Sequence, residues 1–259
     1  MAQANPATIE RSHRKRRIMI VAGEASGDLH GGDLAREILA RDPACELFGI
    51  AGEQMRAAGV RAEVRIEDIH GLGLTELIST IGLSLSSMRR LRHTLRSDPP
   101  DLLILIDYAE FNLMLAGFAK RAGVPVLYYI TPQVWAWRRG RVKKIADRSS
   151  RLAVVLPFEK ELYGVAGDRV TFVGHPLLDR VKPAQPRAET LARHSLPRNA
   201  KLLALLPGSR RAEVRYILPP IANAARILAH DWGLIPVIAL APTLTPEQLA
   251  EHAKADLSG

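Results

Sequence analysis

Short apolar runs alternate along the chain with segments whose apolar residues recur at helical spacing. Arg17 to Ala22 reads as a strand, Asp28 to Ala40 as a helix, Leu47 to Ala51 as a strand and Gly52 to Ala58 as a helix. Further on come a helix over Ser86 to Ser97, a strand over Asp101 to Ile106, a helix over Leu113 to Ala122 and a strand over Val124 to Ile130. A helix over Arg141 to Ala146 and strands over Arg151 to Leu156 and Val170 to Phe172 complete the series. Strands separated by helices predict an α/β fold, with a parallel sheet wrapped by helices on both faces. Such sheets hold ligands at the carboxyl ends of their strands.

The rhythm breaks at Pro183, Pro186 and Pro197. Residues 177–199 therefore read as a linker between a domain over 17–176 and a second over 200–259, behind a disordered basic tail over 1–16. The second domain restarts with a strand over Lys201 to Leu206, a turn over Pro207 to Arg210, a helix over Arg211 to His230 and a strand over Leu234 to Leu240. Two strands make too narrow a sheet for helices to cover, so this domain reads as incomplete. A one-domain protein with a long C-terminal extension is the alternative.

Composition narrows the function classes. The 259 residues are 47% apolar, enough for a large core, and the single Cys45 allows neither an internal disulfide nor a thiolate-cluster metal site. No apolar run approaches the roughly 18–20 residues that cross a bilayer. Ile18 to Ala22 is also too short for a signal-peptide core. A net charge of +9 and a pI near 10.0 favour anionic partners: nucleic acid, lipid headgroups or phosphorylated substrates. Aromatic residues make up only 5% and no aromatic-basic repeat is present, which disfavours nucleic acid.

Several segments carry candidate chemistry. After the apolar run Val124 to Leu127, the stretch Thr131-Pro132-Gln133-Val134-Trp135-Ala136-Trp137-Arg138 packs tryptophans and an arginine into an expected loop. Indoles stack on sugars or acyl groups and Arg forks onto phosphate, or the tryptophans simply fill the gap between a strand and the next helix. Gly23-Glu24-Ala25-Ser26-Gly27-Asp28 joins the first strand to its helix, with glycines that admit a ligand to the backbone. Ser26 or Asp28 could equally cap that helix, and the GxGxxG spacing of a dinucleotide site is absent. Pro207-Gly208-Ser209-Arg210 repeats the strand–glycine–helix pattern in a form suited to a diphosphate, implying two Rossmann-like lobes.

Asp107 ends the apolar run Leu102 to Ile106, where a half-buried carboxylate can act as a general base or cap the next turn. Glu110 follows three residues on. Leu74, Leu77, Ile78, Ile81 and Leu85 fall on one helix face ahead of Arg89, Arg90, Arg92, His93 and Arg96. An apolar face beside cations suits an anionic membrane interface or acyl chains, or covers a core.

These motifs together resemble the lipid-A-disaccharide synthase family. The likeness is carried by Ala22 to Asp28, Gly49 to Gly52, Gly71 to Glu76, Ile106-Asp107, Phe111-Asn112, Pro132 to Arg138, Leu156 to Lys160, Phe172 to Pro176 and Leu205 to Arg210. It implies a GT-B-like glycosyltransferase without metal or cofactor. The reaction would join UDP-2,3-diacylglucosamine to 2,3-diacylglucosamine 1-phosphate through an inverted β-1,6 link and release UDP. Asp107 matches the base for the acceptor 6-hydroxyl. Gly23, Glu24, Ser26, Gly27, Asp28, Glu110, Asn112, Gln133, Trp135 and Arg138 match substrate-binding positions, with Gly208, Ser209 and Arg210 on the donor diphosphate. Leu72, Leu74, Leu77, Ile78 and Ile81 match the part that contacts acyl chains or the membrane. The implied location is cytoplasmic, peripheral on the anionic inner face of the bacterial inner membrane, and the resemblance admits a homodimer of a full-length protein. The family pattern Asp-x-Pro-Asp-Phe-Asn appears here as Asp107-Tyr108-Ala109-Glu110-Phe111-Asn112. A non-catalytic lipid- or anion-binding fragment, or another sugar-nucleotide enzyme such as an epimerase, are the other readings.

Overall fold

A computed structural model describes residues 15–69, 76–209, 211–241 and 244–254. Contacts divide the chain into two compact units, Met1–Val181 and Lys182–Gly259, with the division inside the stretch expected as a linker. That stretch carries helices of its own. Most of the basic tail and Leu72, Leu74 and Arg210 lie outside the described residues, as do the side chains of Leu77, Ile78, Ile81 and Trp137.

The first unit contains β1 (Arg17–Ala22), α1 (Ala25–Arg41), β2 (Glu46–Ala51), α2 (Glu53–Ala57), β3 (Arg61–Arg65), α3 (Ile66–Ile69) and α4 (Glu76–Ser97). It continues through β4 (Leu102–Ile106), α5 (Ala109–Arg121), β5 (Val126–Tyr129), α6 (Val134–Trp137), α7 (Arg141–Arg148), β6 (Arg151–Val154), α8 (Glu159–Leu162), a 3-10 turn (Gly164–Arg169), β7 (Val170–Phe172) and α9 (Leu177–Arg180). All seven strands pair in parallel in the order β3-β2-β1-β4-β5-β6-β7. Central strands buried on both faces are near-continuous apolar runs, and Met19 to Ala22 and Leu103 to Ile106 form the middle of the core.

Strand β3 escapes the sequence pattern because Arg61, Glu63 and Arg65 alternate charge through it. It is an edge strand, where charge blocks further pairing, and the apolar signal is weakest. The expected Trp135 loop is instead the helical turn α6. Its Arg138 amide donates to the Val134 carbonyl at 2.8 Å.

Asp28 lies on the first turn of α1 with only 6% of its surface exposed. Its carboxylate accepts from the backbone amides of Gly52 at 2.9 Å, Gln54 at 2.8 Å and Met55 at 3.0 Å. It therefore caps α2 from a different helix and fixes the turn after β2. Neither sequence reading, a ligand contact or a cap on its own helix, describes what its carboxylate does. Gly52 is required beneath it, since a Cβ there would meet the Asp28 carboxyl at 2.4 Å.

In the second unit α10 (Arg187–Arg193) precedes β8 (Lys201–Leu205), α11 (Arg211–Trp232), β9 (Leu234–Ile238) and α12 (Pro246–Lys254), and β8 pairs with β9 in parallel. A small core forms around Val214, Leu218, Leu244 and Leu249. Leu206, Trp232, Val237, Ile238 and Leu240 remain exposed.

Replacing Asp28 by Ala leaves three amide donors near or in the core without their charged acceptor. This is expected to lower stability by about 2–4 kcal/mol, since stranding buried donors forfeits their desolvation cost as well as the bonds. Urea unfolding beside Asp42→Ala checks this. Asp42 makes one exposed ion pair, with Arg16, and its loss should cost under about 1 kcal/mol.

Candidate functional site

The strand order reverses between β1 and β4, the switch point where open α/β sheets form a crevice. β1, β4 and β5 end level, because Ala22 pairs with Ile106 and Ile106 with Tyr129. Gly23, Asp107 and Ile130 consequently leave the sheet side by side, and the Asp107 amide donates to the Ile130 carbonyl at 3.0 Å.

The backbone here is strained. Asp107 (φ 45°), Tyr108 (φ 46°) and Ile130 (φ 60°) all occupy the left-handed region, which L side chains avoid at a cost of roughly 1–2 kcal/mol each. Asn112 on the first turn of α5 holds the first two in place. Its fully buried side-chain amide donates to the Ile106 carbonyl at 3.1 Å and the Asp107 carbonyl at 2.9 Å. The Tyr128 hydroxyl also donates to the Asp107 carbonyl, at 2.8 Å. Burial, and next the nearby Asp107 charge, holds the Tyr128 phenol well above its ordinary range, so it remains a donor. The Asn112 side-chain nitrogen is thus committed to the backbone of the turn, at a residue the sequence places on substrate.

The half-buried Asp107 sits on this braced turn at the strand end. The Tyr108 ring lies against Gly23, where a Cβ would come within 2.2 Å of it, and stacks on Phe111 at 5.1 Å. Gly23 therefore serves the approach of an aromatic ring. Of the other residues in that turn, Glu24 is half-buried, Ser26 exposed and Gly27 packed against Ala22.

Glu110 on the first turn of α5 ion-pairs with Arg138 at 2.6 Å and with Arg141. The structure thus joins two expected substrate contacts to each other, although both are more than half exposed and such pairs are weak in water. Gln133 is exposed. Trp135 packs edge-on against Phe158 with ring centres 5.2 Å apart, so it bridges the loops after β5 and β6. The buried Glu159 carboxylate fixes the second loop by accepting from the amides of Val155 at 3.2 Å and Leu156 at 3.0 Å. In the second unit Gly208 takes a positive φ of 109° within the stretch expected as a turn. The Ser209 amide, expected to face a diphosphate, donates to the Glu213 carboxylate at 2.8 Å.

A histidine pair absent from the expected site lies nearby. His30 on α1 and His175 after β7 meet edge-to-face at 5.9 Å. Arg180 closes over the same helix through Asp33 at 2.9 Å. Tyr128 was the more legible omission, because a tyrosine inside a buried strand needs a partner for its hydroxyl.

Solved structures share the fold. UDP-GlcNAc 2-epimerase from Neisseria meningitidis bound to UDP-GlcNAc superposes with a TM-score of 0.64 at 13% identity, over 94% of this chain and 70% of its own. The calicheamicin glycosyltransferase CalG4 does so at 0.52 and 16%, over 91% and 67%. With the parallel sheet and strand-end turn, this defines an α/β protein of the GT-B-like class. The model of the family described as lipid-A-disaccharide synthetase matches residues 18–255, and the chain belongs to that family. The lipid-A-disaccharide synthase of Geobacter metallireducens is 49% identical over 241 residues, covering 93% of this chain, and that of Nitrosococcus oceani is 45% identical over 238 residues, covering 92%. The chain spans 63% and 62% of the length of these relatives.

Burial, followed by the charges of His175 and Arg180, lowers the His30 pKa against the opposing pull of Asp33. The unfolded chain then binds this proton more tightly, so the stability His30 contributes is present above about pH 6.5 and is lost as pH falls below it. Thermal midpoints are expected to drop between about pH 7 and pH 5, and His30→Gln to flatten that drop. An unchanged slope in the variant would contradict the assignment.

Proposed function

We propose that the first unit carries the acceptor side of a glycosyl-transfer site, with Asp107 as general base. The observation that supports this most is the braced left-handed turn at the switch point, since strain held by dedicated hydrogen bonds is characteristic of functional positions. In this reading the Asp107 carboxylate takes the proton of the acceptor 6-hydroxyl. The oxygen attacks C1 of the UDP-2,3-diacylglucosamine donor, the bond from C1 to the diphosphate breaks, and UDP leaves with that electron pair. Attack from the face opposite the leaving group inverts C1 and gives the β-1,6 disaccharide with 2,3-diacylglucosamine 1-phosphate. Arg210, Gly208 and Ser209 would meet the departing diphosphate, Arg210 by charge, so the reading assigns no metal. The Ser209 amide would exchange the Glu213 carboxylate for a phosphate oxygen.

Family membership supports the substrates, and the level strand ends support the placing of the base. Asp28, Asn112 and Tyr128 act as positioning residues, holding the two turns that border the crevice. Ser26, Gln133, Glu110 and Arg138 are exposed, and together with the half-buried Glu24 are assigned to sugar hydroxyls and phosphate. The segment from Leu72 to Ile81 is assigned to acyl chains and to the anionic inner leaflet, where the protein would lie peripherally. Leu85, further along α4, is half exposed at 50%.

Mass-spectrometric detection of disaccharide from the two acylated sugars tests this. Asp107→Asn is expected to lower kcat by on the order of 10²–10⁴-fold with KM little changed. Undiminished turnover in the variant, or an altered UDP-sugar formed without acceptor, overturns the reading.

A further inference from the structure

Several arginines of the first unit sit against carboxylates. Arg17 pairs with Glu46 and Asp98, Arg56 with Glu67, Arg61 with Glu46, Arg90 with Glu63 and Arg180 with Asp33. One region gathers several cations around a single carboxylate. A groove of about 620 Å³ between α5 and α7 is lined by Lys120, Arg121, Lys143, Lys144 and Arg148 against a single carboxylate, Asp147. A smaller cavity of about 130 Å³ between α4 and α5 adds Arg92 and Arg96 and shares Arg121 with the groove.

Among the described residues Arg92, Arg96, Arg121, Lys143 and Lys144 make no ion pair. Arg92 and Arg121 both lean on the Phe118 ring, at 4.8 and 4.7 Å, which fixes two cations beside one side chain. The Arg92 Nε is also buried without a hydrogen-bond partner. Lys120 and Arg148 each donate one bond to a backbone carbonyl, of Asp147 and Leu113, and keep their remaining donors.

Helix dipoles explain part of this. Lys120, Arg121 and Arg148 lie in the last turns of their helices, where positive charge is favoured. Lys143 and Lys144 stand in the first half of α7, where the dipole opposes them. Gathering such charge in one concavity raises the local potential and concentrates anions. Ammonium and guanidinium donors arranged around an open groove match the oxygens of a phosphate ester.

We propose that the groove between α5 and α7 is a phosphate-binding site, separate from the strand-end crevice, that takes the phosphate ester of a lipid headgroup or of a soluble phosphate compound. The crevice lies at the start of α5, whereas Gly117, Lys120 and Arg121 occupy its second half. The site rests on charge and shape alone, so its failure leaves the glycosyl-transfer reading intact, and the converse also holds.

The test uses the Lys143→Gln/Lys144→Gln protein. Both side chains are exposed and make no ion pair, so the thermal midpoint should match the parent. Phosphatidylcholine vesicles with and without phosphatidylglycerol, and calorimetric titration with glycerol 3-phosphate, are compared at low and high salt. Binding of either probe is expected to weaken roughly thirtyfold in the double variant and to fall with added salt. Vesicle binding alone assigns the site to headgroups, and glycerol 3-phosphate binding alone to soluble phosphates. Binding of neither probe, equal binding by the variant, or tighter capture of a single-stranded RNA overturns the proposal.

Discussion

A left-handed backbone at a residue with a side chain costs roughly 1–2 kcal/mol, and the chain adopts it twice in succession at the end of β4. Such a turn persists only when its surroundings over-determine it. Here the Asn112 amide bridges two consecutive carbonyls and the Tyr128 hydroxyl reaches the second, so the peptide planes on either side of Asp107 are fixed. Both bracing groups are buried, and each pairs with a carbonyl that the β4 ladder leaves at the strand end. Loss of either would leave a buried carbonyl short of a donor while the strain remained.

The rest of the first unit supports this corner. Parallel pairing of β1, β4 and β5 brings three chain exits to one level, and the apolar runs of those strands, buried on both faces, anchor them in the core. Gly23 makes room for the Tyr108 ring that the left-handed turn swings over β1. On the other side of β1 the Asp28 carboxylate ties α1 to the turn after β2. The switch point is therefore bordered by two turns that side chains hold from outside their own segments.

Much of this was legible in the residue pattern. The alternation of apolar runs and helical periods located six of the seven strands of the first unit, because central parallel strands are uniformly apolar. Asp107 stood out as a carboxylate closing such a run. What the pattern missed was decided by tertiary contacts. β3 carries alternating charge because it is an edge, and its pairing comes from β2. Asp28 looked like a cap for its own helix, since local caps are the commonest use of Asp there, yet its acceptors face amides 24 to 27 residues away. Asn112 is placed on substrate by the resemblance alone, since its residue type gives no sign of what its amide does. Only the left-handed turn shows that the backbone needs its amide, and no local signal announces such a turn at Asp-Tyr.

The central claim is that Asn112 holds the Asp107 turn, and amide hydrogen exchange across the first unit of the Asn112→Ala protein tests it most directly. The Asp107 amide, bonded to the Ile130 carbonyl, is expected to lose protection together with its neighbours Tyr108 and Ile130, while the amides pairing β1 with β4 keep theirs. Protection at Asp107 that is unchanged in the variant would contradict the account.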